Sequence, residues 1–182
     1  SIESGTFEDC DALTSVTIPD GVTSIGDYAF NSCEALTSIT IPDSVTTIGY
    51  GVFGNCSELT NATIGNGITS ISTSAFRSCT RLRNIDIPDS VTSIGERSFY
   101  GCSSLSACTL GTGLTSIGQS GFSNCTSLAS ITIPDSTTNI GNSAFRNCSA
   151  LTNATIGNGV TSIGNSAFYE CRSLTSCTIG SG

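Results

Sequence analysis

The chain has 182 residues, a formal net charge of −8, 37% apolar residues and only 11% charged ones; the six basic residues are all Arg, and His is absent. A surface this acidic is ill suited to nucleic acid or anionic lipid, both of which need basic groups to neutralise phosphates, and a chain without His has neither the usual catalytic triads nor imidazole metal sites. No run approaches the roughly 20 apolar residues of a spanning helix, and the first residues lack the charged-then-apolar pattern of a signal peptide.

The chain is periodic from its first residues. Ser1-Ile2 recurs as Ser24-Ile25, and Phe7, Cys10 and Leu13 form the first of eight Phe-x-x-Cys-x-x-Leu units spaced 23 residues apart, ending at Phe168, Cys171 and Leu174. A period of this length predicts a stacked solenoid, because a single unit cannot bury its apolar face and neighbouring copies must complete the core. Residues 1–182 are therefore expected to form a single elongated domain of about eight coils without evident caps, roughly 40 Å long at the spacing of paired strands.

Within a model copy, Leu36 to Glu58, Ile39 and Ile41 alternate with Ser38 and Thr40 and predict a strand with one buried face. Pro42-Asp43 predicts a turn, Pro presetting φ and Asp bonding the local backbone. Val45 and Ile48 then predict a second short extended piece. Ala144, Phe145, Cys148 and Leu151 stand for the closing run; their spacing predicts a one- to two-turn helix packed on the core.

The turn comes in two forms. Where the first buried strand position is large (Val16, Ile39, Ile85, Ile131) the turn carries Pro, and where it is small (Ala62, Cys108, Ala154, Cys177) the turn is Gly-x-Gly, as at Gly65 and Gly67. This predicts two interchangeable coil shapes, with Gly supplying positive φ. Eight of the ten cysteines, from Cys10 to Cys171, share one repeat position. Column neighbours about 5 Å apart are within disulfide reach, but a residue recurring in the core phase is expected to be a buried thiol. Cys108 and Cys177 are expected to be core fillers.

The Leu-x-x-Ile-x-Ile run of Leu36, Ile39 and Ile41, followed by Val-x-x-Ile-Gly-x-x-Ala-Phe-x-x-Cys, resembles the BspA-like leucine-rich repeats of bacterial and protist surface proteins, and the resemblance covers essentially the whole chain. It implies an α/β repeat fold, a leucine-rich-repeat solenoid with a parallel strand face and short helices on the opposite face. It also implies an extracellular or cell-surface location and a role in adhesion or protein recognition, with a protein or glycan ligand that the family pattern does not specify. No catalysis, metal or other cofactor is expected.

Candidate binding residues lie where strand side chains face outward. Thr17, Thr40, Thr63, Thr109, Thr132, Thr155 and Thr178 form one column, interrupted only by Asp86. β-branched polar residues suit an exposed strand in any case, yet the same column is a candidate binding face, and a regular Thr array also raises ice binding as a remote alternative. Four of the six Arg (Arg77, Arg81, Arg83, Arg97) crowd one coil; Arg81, Arg83 and Asp86 are the expected contact patch, with Arg77 and Arg97 solvating the outer face or pairing with Glu96. Sequons occur at Asn55, Asn61, Asn124, Asn147 and Asn153, the first, third and fourth at a coil edge and the others on the strand face. Ile2, Phe7, Leu13, Leu174 and Ile179 are candidate end-to-end contacts, which makes a filament of stacked solenoids the alternative to recognition.

Overall fold

The computed structural model describes residues 1–181. Fourteen short strands alternate in two ribbons. The wider ribbon contains β2 (Ser38–Ile41), β4 (Asn61–Ile64), β6 (Asn84–Asp86) and β8 (Ala107–Thr109), and resumes with β10 (Ser130–Ile133), β12 (Asn153–Ile156) and β14 (Ser176–Ile179). The narrower ribbon contains β1 (Ser24–Ile25) paired with β3 (Thr47–Ile48), then β5 (Ser70–Ile71), β7 (Ser93–Ile94), β9 (Ser116–Ile117), β11 (Asn139–Ile140) and β13 (Ser162–Ile163). All pairs are parallel, and partners lie 23 residues apart, as in Ile39↔Ala62 and Ile140↔Ile163. In the wide ribbon the side chains alternate as the sequence predicts: Ile39 and Ile41 are buried, Ser38 and Thr40 exposed.

The third side of each coil holds no helix, which corrects the expectation of short helices opposite the strand face. Two residues in each closing run adopt left-handed backbone, for example Tyr28 and Ser32 at φ 56°, and Arg97 and Gly101 at 53° and 75°. An α-helix cannot pass through such residues. The alternation has a purpose along the stack. The N–H groups of Tyr28, Phe30 and Ser32 donate to the carbonyls of Tyr50, Val52 and Gly54 in the next coil, while those of Ala29, Asn31 and Cys33 close turns on Gly26, Tyr28 and Phe30. A helix would turn every N–H inward along one segment; these coils send every second one to a neighbour, so the turn side is also laddered.

Inside, Phe7 to Phe168 form one continuous stack, with adjacent ring centroids 5.0–5.5 Å apart and planes within 21° of parallel. Beside it runs the thiol column. Each Sγ from Cys33 to Cys171 donates to the carbonyl of the Phe one coil earlier, at 3.1–3.2 Å. All ten cysteines are free thiols. Burial pushes the interior thiols up, Cys33 to about 11 and Cys56 and Cys102 to about 12, so these are protonated and unreactive at neutral pH; at half-buried Cys171 the side-chain bond with Cys148 lowers the thiol instead.

The two turn sequences share one backbone pattern, Val45 N–H bonding the Pro42 carbonyl as Ile68 N–H bonds that of Gly65, so the expected pair of coil shapes built on positive φ is not found. None of Gly65, Gly67, Gly157 and Gly159 has positive φ. They are glycine because the next backbone is too close: a Cβ on Gly67 would lie 2.1 Å from the carbonyl oxygen of Asp43. Asp43 likewise does not bond its own turn. Its carboxylate accepts the N–H of Asn66 in the next coil at 2.7 Å, and Asp89 and Asp135 do the same for Thr112 and Asn158 at 2.6 and 2.7 Å. A Pro-Asp coil therefore serves as the seat for a Gly coil. The strand positions fit the same pairing, since large Ile39, Ile85 and Ile131 sit in register with small Ala62, Cys108 and Ala154.

Candidate functional site

Ser and Thr fill several outward columns, and the structure divides them by what their hydroxyls do. In three columns the hydroxyl donates back to the carbonyl 23 residues earlier: Thr60 to Thr37, Thr115 to Thr92, and Thr126 to Ser103, at 2.8–3.2 Å. These hydroxyls supplement the backbone ladder. The Thr17 to Thr178 column is different. Thr17, Thr40, Thr63, Thr109, Thr132 and Thr178 are exposed and Thr155 half-buried, and among the described residues none of their hydroxyls bonds to protein. A row of uncommitted donors and acceptors, spaced by the strand pairing, remains available to a ligand.

The row is broken at Asp86. Between β4 and β6 only Asn61↔Asn84 remain paired, whereas β2 and β4 pair over four residues. A groove of about 250 Å³ opens there, and Asn61, Thr63, Asn84 and Asp86 lie along it. The expected patch of Arg81, Arg83 and Asp86 is only partly assembled. Arg81 is engaged by Glu58 of the preceding coil, and Arg83 and Asp86 are exposed on the strand side with no ion pair between them among the described residues. Arg77 and Arg97 belong to the opposite side: Arg97 pairs with Glu96 at 3.5 Å, and the guanidinium of Arg77 lies 6.0 Å from the Tyr100 ring centroid. Sequence reasoning left out Arg146, which stands three repeats after Arg77 and lies 5.2 Å over Tyr169 as Arg77 does over Tyr100. The matching Arg-Tyr spacing was the signal.

The sequon asparagines also separate. Asn55 is exposed on the turn side, while Asn147 donates its side-chain amide to Asn124 at 2.7 Å, both half-buried. Asn61 and Asn153 are exposed on the strand side, Asn61 on the groove itself. At the two ends, Ile2, Phe7, Leu13 and Leu174 are partly buried against the core, and Ile179 is 63% exposed. Among the described residues no group of three or more His, Cys, Asp or Glu is placed to hold a metal ion. Among the same residues no helix is long and apolar enough to cross a membrane.

Two overlapping stretches, residues 1–91 and 69–182, match the BspA type leucine rich repeat region, in six copies. The chain belongs to this family. Its BspA-type coils superpose on those of a leucine-rich repeat protein from Bacteroides ovatus with a TM-score of 0.81 and 29% identity, over 98% of this chain and 53% of that one. A leucine rich cell surface protein from Faecalibacterium prausnitzii is similar with a TM-score of 0.67 and 33% identity, over 98% and 56%. A leucine-rich repeat protein of T. pallidum gives 0.60 and 28%, over 91% and 66%. The chain thus spans about half the length of the first two of these leucine-rich repeat relatives. No curated protein matches it in sequence.

Proposed function

We propose that this chain is a non-catalytic recognition segment of a cell-surface protein, and that a protein partner docks on its strand face around the groove between Thr63 and Asp86. The uncommitted Thr hydroxyls carry this reading: three other outward ladders spend theirs on the stack, whereas on the wide strand face, among the described residues, the Thr column and the exposed Ser38, Ser130 and Ser176 beside it do not. The groove adds relief to an otherwise regular surface, and Asp86 adds a charge at its wall. A few residues dominate the affinity of an interface, and they cluster in pockets that exclude water. The surface location is supported by the family and by the description of the Faecalibacterium prausnitzii relative.

The test is a binding screen of the purified chain against a panel of secreted and cell-surface proteins, followed by comparison with the variant Thr63→Lys/Asp86→Lys. A partner that binds the parent chain and binds this variant at least tenfold more weakly supports the assignment. A partner insensitive to both substitutions, and equally to Thr40→Lys and Thr109→Lys, overturns it.

A further inference from the structure

The turn side carries a second feature that the strand face does not explain. One column there reads Glu8, Asn31, Gly54, Arg77, Tyr100, Ser123, Arg146 and Tyr169, with Ser123 sunk to 2% exposure below its taller neighbours. Arg77 stacks on Tyr100 and Arg146 on Tyr169, so two tall Arg-Tyr pairs stand on either side of a single small residue, Ser123. The gap is a cleft of about 620 Å³, with Ser120, Ser123 and Asn124 at its centre and Arg77, Arg97 and Arg146 around it.

Half of the Arg in a chain of net charge −8 meet at this one cleft. One carboxylate lines it, Glu170, which the exposed Arg172 holds only weakly at 3.6 Å, so a single negative charge faces three guanidinium groups. Arg97 is paired with Glu96, but both side chains are at least 43% exposed, and such pairs hold their partners weakly. Arg77 and Arg146 have no carboxylate partner among the described residues. The cleft therefore presents positive charge against an acidic background, which selects for an anion.

Its length restricts the anion further. Arg77 and Arg146 are three coils apart, about 15 Å at the spacing of paired strands. An isolated phosphate or sulfate cannot reach both, so the ligand is an oligomer with separated charges. Between the charges the lining is hydroxyl and amide, from Ser120, Ser123, Asn124 and Asn147; Asn147 donates to Asn124 at 2.7 Å and Asn124 to Ser123 at 3.4 Å, which fixes the floor and leaves the Ser120 hydroxyl and the second amide hydrogens for a ligand. The backbone contributes little, because the N–H groups of Ser120, Phe122 and Asn124 are already bonded to Asn142, Ala144 and Arg146. An acidic peptide would find no main-chain partners here, whereas a hydroxylated chain finds side chains suited to it.

We propose that the turn-side cleft binds an anionic oligosaccharide, its carboxylate or sulfate groups held by Arg77, Arg97 and Arg146 and its hydroxyls by the Ser and Asn floor. The experiment is isothermal titration of the 182-residue chain with three hexasaccharides, one rich in uronate, one sulfated and one neutral, and with hexa-aspartate. Variants are Arg77→Ala/Arg146→Ala, Ser123→Tyr, which fills the gap with the side chain that column carries at Tyr100 and Tyr169, and Arg81→Ala as a control outside the cleft. The expected result is binding of the uronate or the sulfated hexasaccharide, the tighter one naming the acid group, with at least tenfold loss in the double Arg variant and in Ser123→Tyr, no change in Arg81→Ala, and weakening as salt rises. Failure of both anionic sugars to bind, equal binding of the neutral sugar or of hexa-aspartate, or full binding by a folded Ser123→Tyr chain each overturns the proposal. Circular dichroism confirms folding of each variant.

Discussion

The Sγ of Cys79 lies 3.1 Å from the carbonyl oxygen of Phe53, one coil earlier, an oxygen that also accepts the N–H of Cys56 at 3.5 Å. The bond explains why the repeat uses Cys rather than another small apolar residue. Only a side chain of this size that carries a donor can fill the site and also serve the second lone pair of that carbonyl. Cys79→Ala removes both donor and volume, and is expected to cost about 1–3 kcal/mol in urea unfolding. A loss below about 0.5 kcal/mol would mean the sulfur is neither packed nor bonded as described.

The thiol column also sets a limit on stability at high pH. Burial raises Cys56 and Cys102 to about 12 from an ordinary value of 9.0. Above pH 9 the unfolded chain releases protons that the folded chain retains, so stability is fully present below about 9 and declines as pH rises toward 12. Thermal unfolding between pH 8 and 11 should show a midpoint that is level at first and then falls. In the native state at pH 8, a thiol reagent should modify exposed Cys177 and spare Cys33, Cys56, Cys79, Cys102, Cys125 and Cys148. Rapid labelling of all ten would contradict the packed column.

Two glycines of one column give opposite expectations. A Cβ on Gly67 meets the Asp43 carbonyl, whereas one on Gly21, two repeats earlier, meets nothing within 4 Å. Gly67→Ala is therefore expected to destabilise the chain by about 1–3 kcal/mol through overpacking of backbone on backbone. Gly21→Ala should be neutral or slightly stabilising, by well under about 1 kcal/mol. Thermal melts of the two variants side by side check both signs.

Phe99 stacks on Phe76 at 5.4 Å and on Phe122 at 5.0 Å, while Phe168 has the single neighbour Phe145 at 5.2 Å. Leu in place of Phe retains most of the apolar volume but forfeits the ring contacts, worth about 0.5–1.5 kcal/mol per pair. Phe99→Leu should accordingly lower stability about twice as much as Phe168→Leu, as read from denaturant midpoints. Equal losses would show that the stack acts only as bulk apolar filling.

Asp89 is held below the ordinary carboxylate value of 3.8 by the N–H and hydroxyl of Thr112. A group lowered in the folded state contributes stability above its unfolded value and loses it as pH falls through the folded one. Asp89→Asn should thus flatten the decline in thermal midpoint between pH 4 and 2 relative to the parent chain. An unchanged slope would place the acid sensitivity elsewhere.

The core was legible in the sequence because its signals are strictly local. Ile39 and Ile41 alternate, Val45 and Ile48 point inward, and Cys148 recurs in the Phe145 phase. The helix was misread because the i, i+4 spacing of Ala144 and Cys148 suits an α-helix and a laddered turn equally well. What distinguishes them is the column of Asp9, Asn55, Gly101, Asn124 and Asn147, residue types that tolerate left-handed backbone. The forward reach of Asp43 was invisible for another reason, since a local turn bond and a bond to the next coil demand the same residue. The turn-side cleft was missed because Ser123 matters only through the height of Tyr100 and Arg146 around it, and sequence proximity had directed attention to Arg81 and Arg83 instead.

The Asp-to-Gly seating between neighbouring coils bears on how such an array can grow. Pro42 and Gly65, Pro88 and Gly111, and Pro134 and Gly157 make matched seams, whereas Asp20, beneath a second Pro-Asp turn at Pro42, makes no such bond. In the middle of the array, deleting one coil would bring like turns together and lose an Asp seat, while deleting two would restore the Asp-to-Gly contacts; where Gly157 and Gly180 are already like neighbours, Asn158 takes the part of Asp, its Oδ1 accepting the N–H of Ser181 at 3.2 Å. A change of length by two coils therefore keeps every Asp-to-Gly seam of the stack, whereas a change by one needs a residue such as Asn158 to take over the seat.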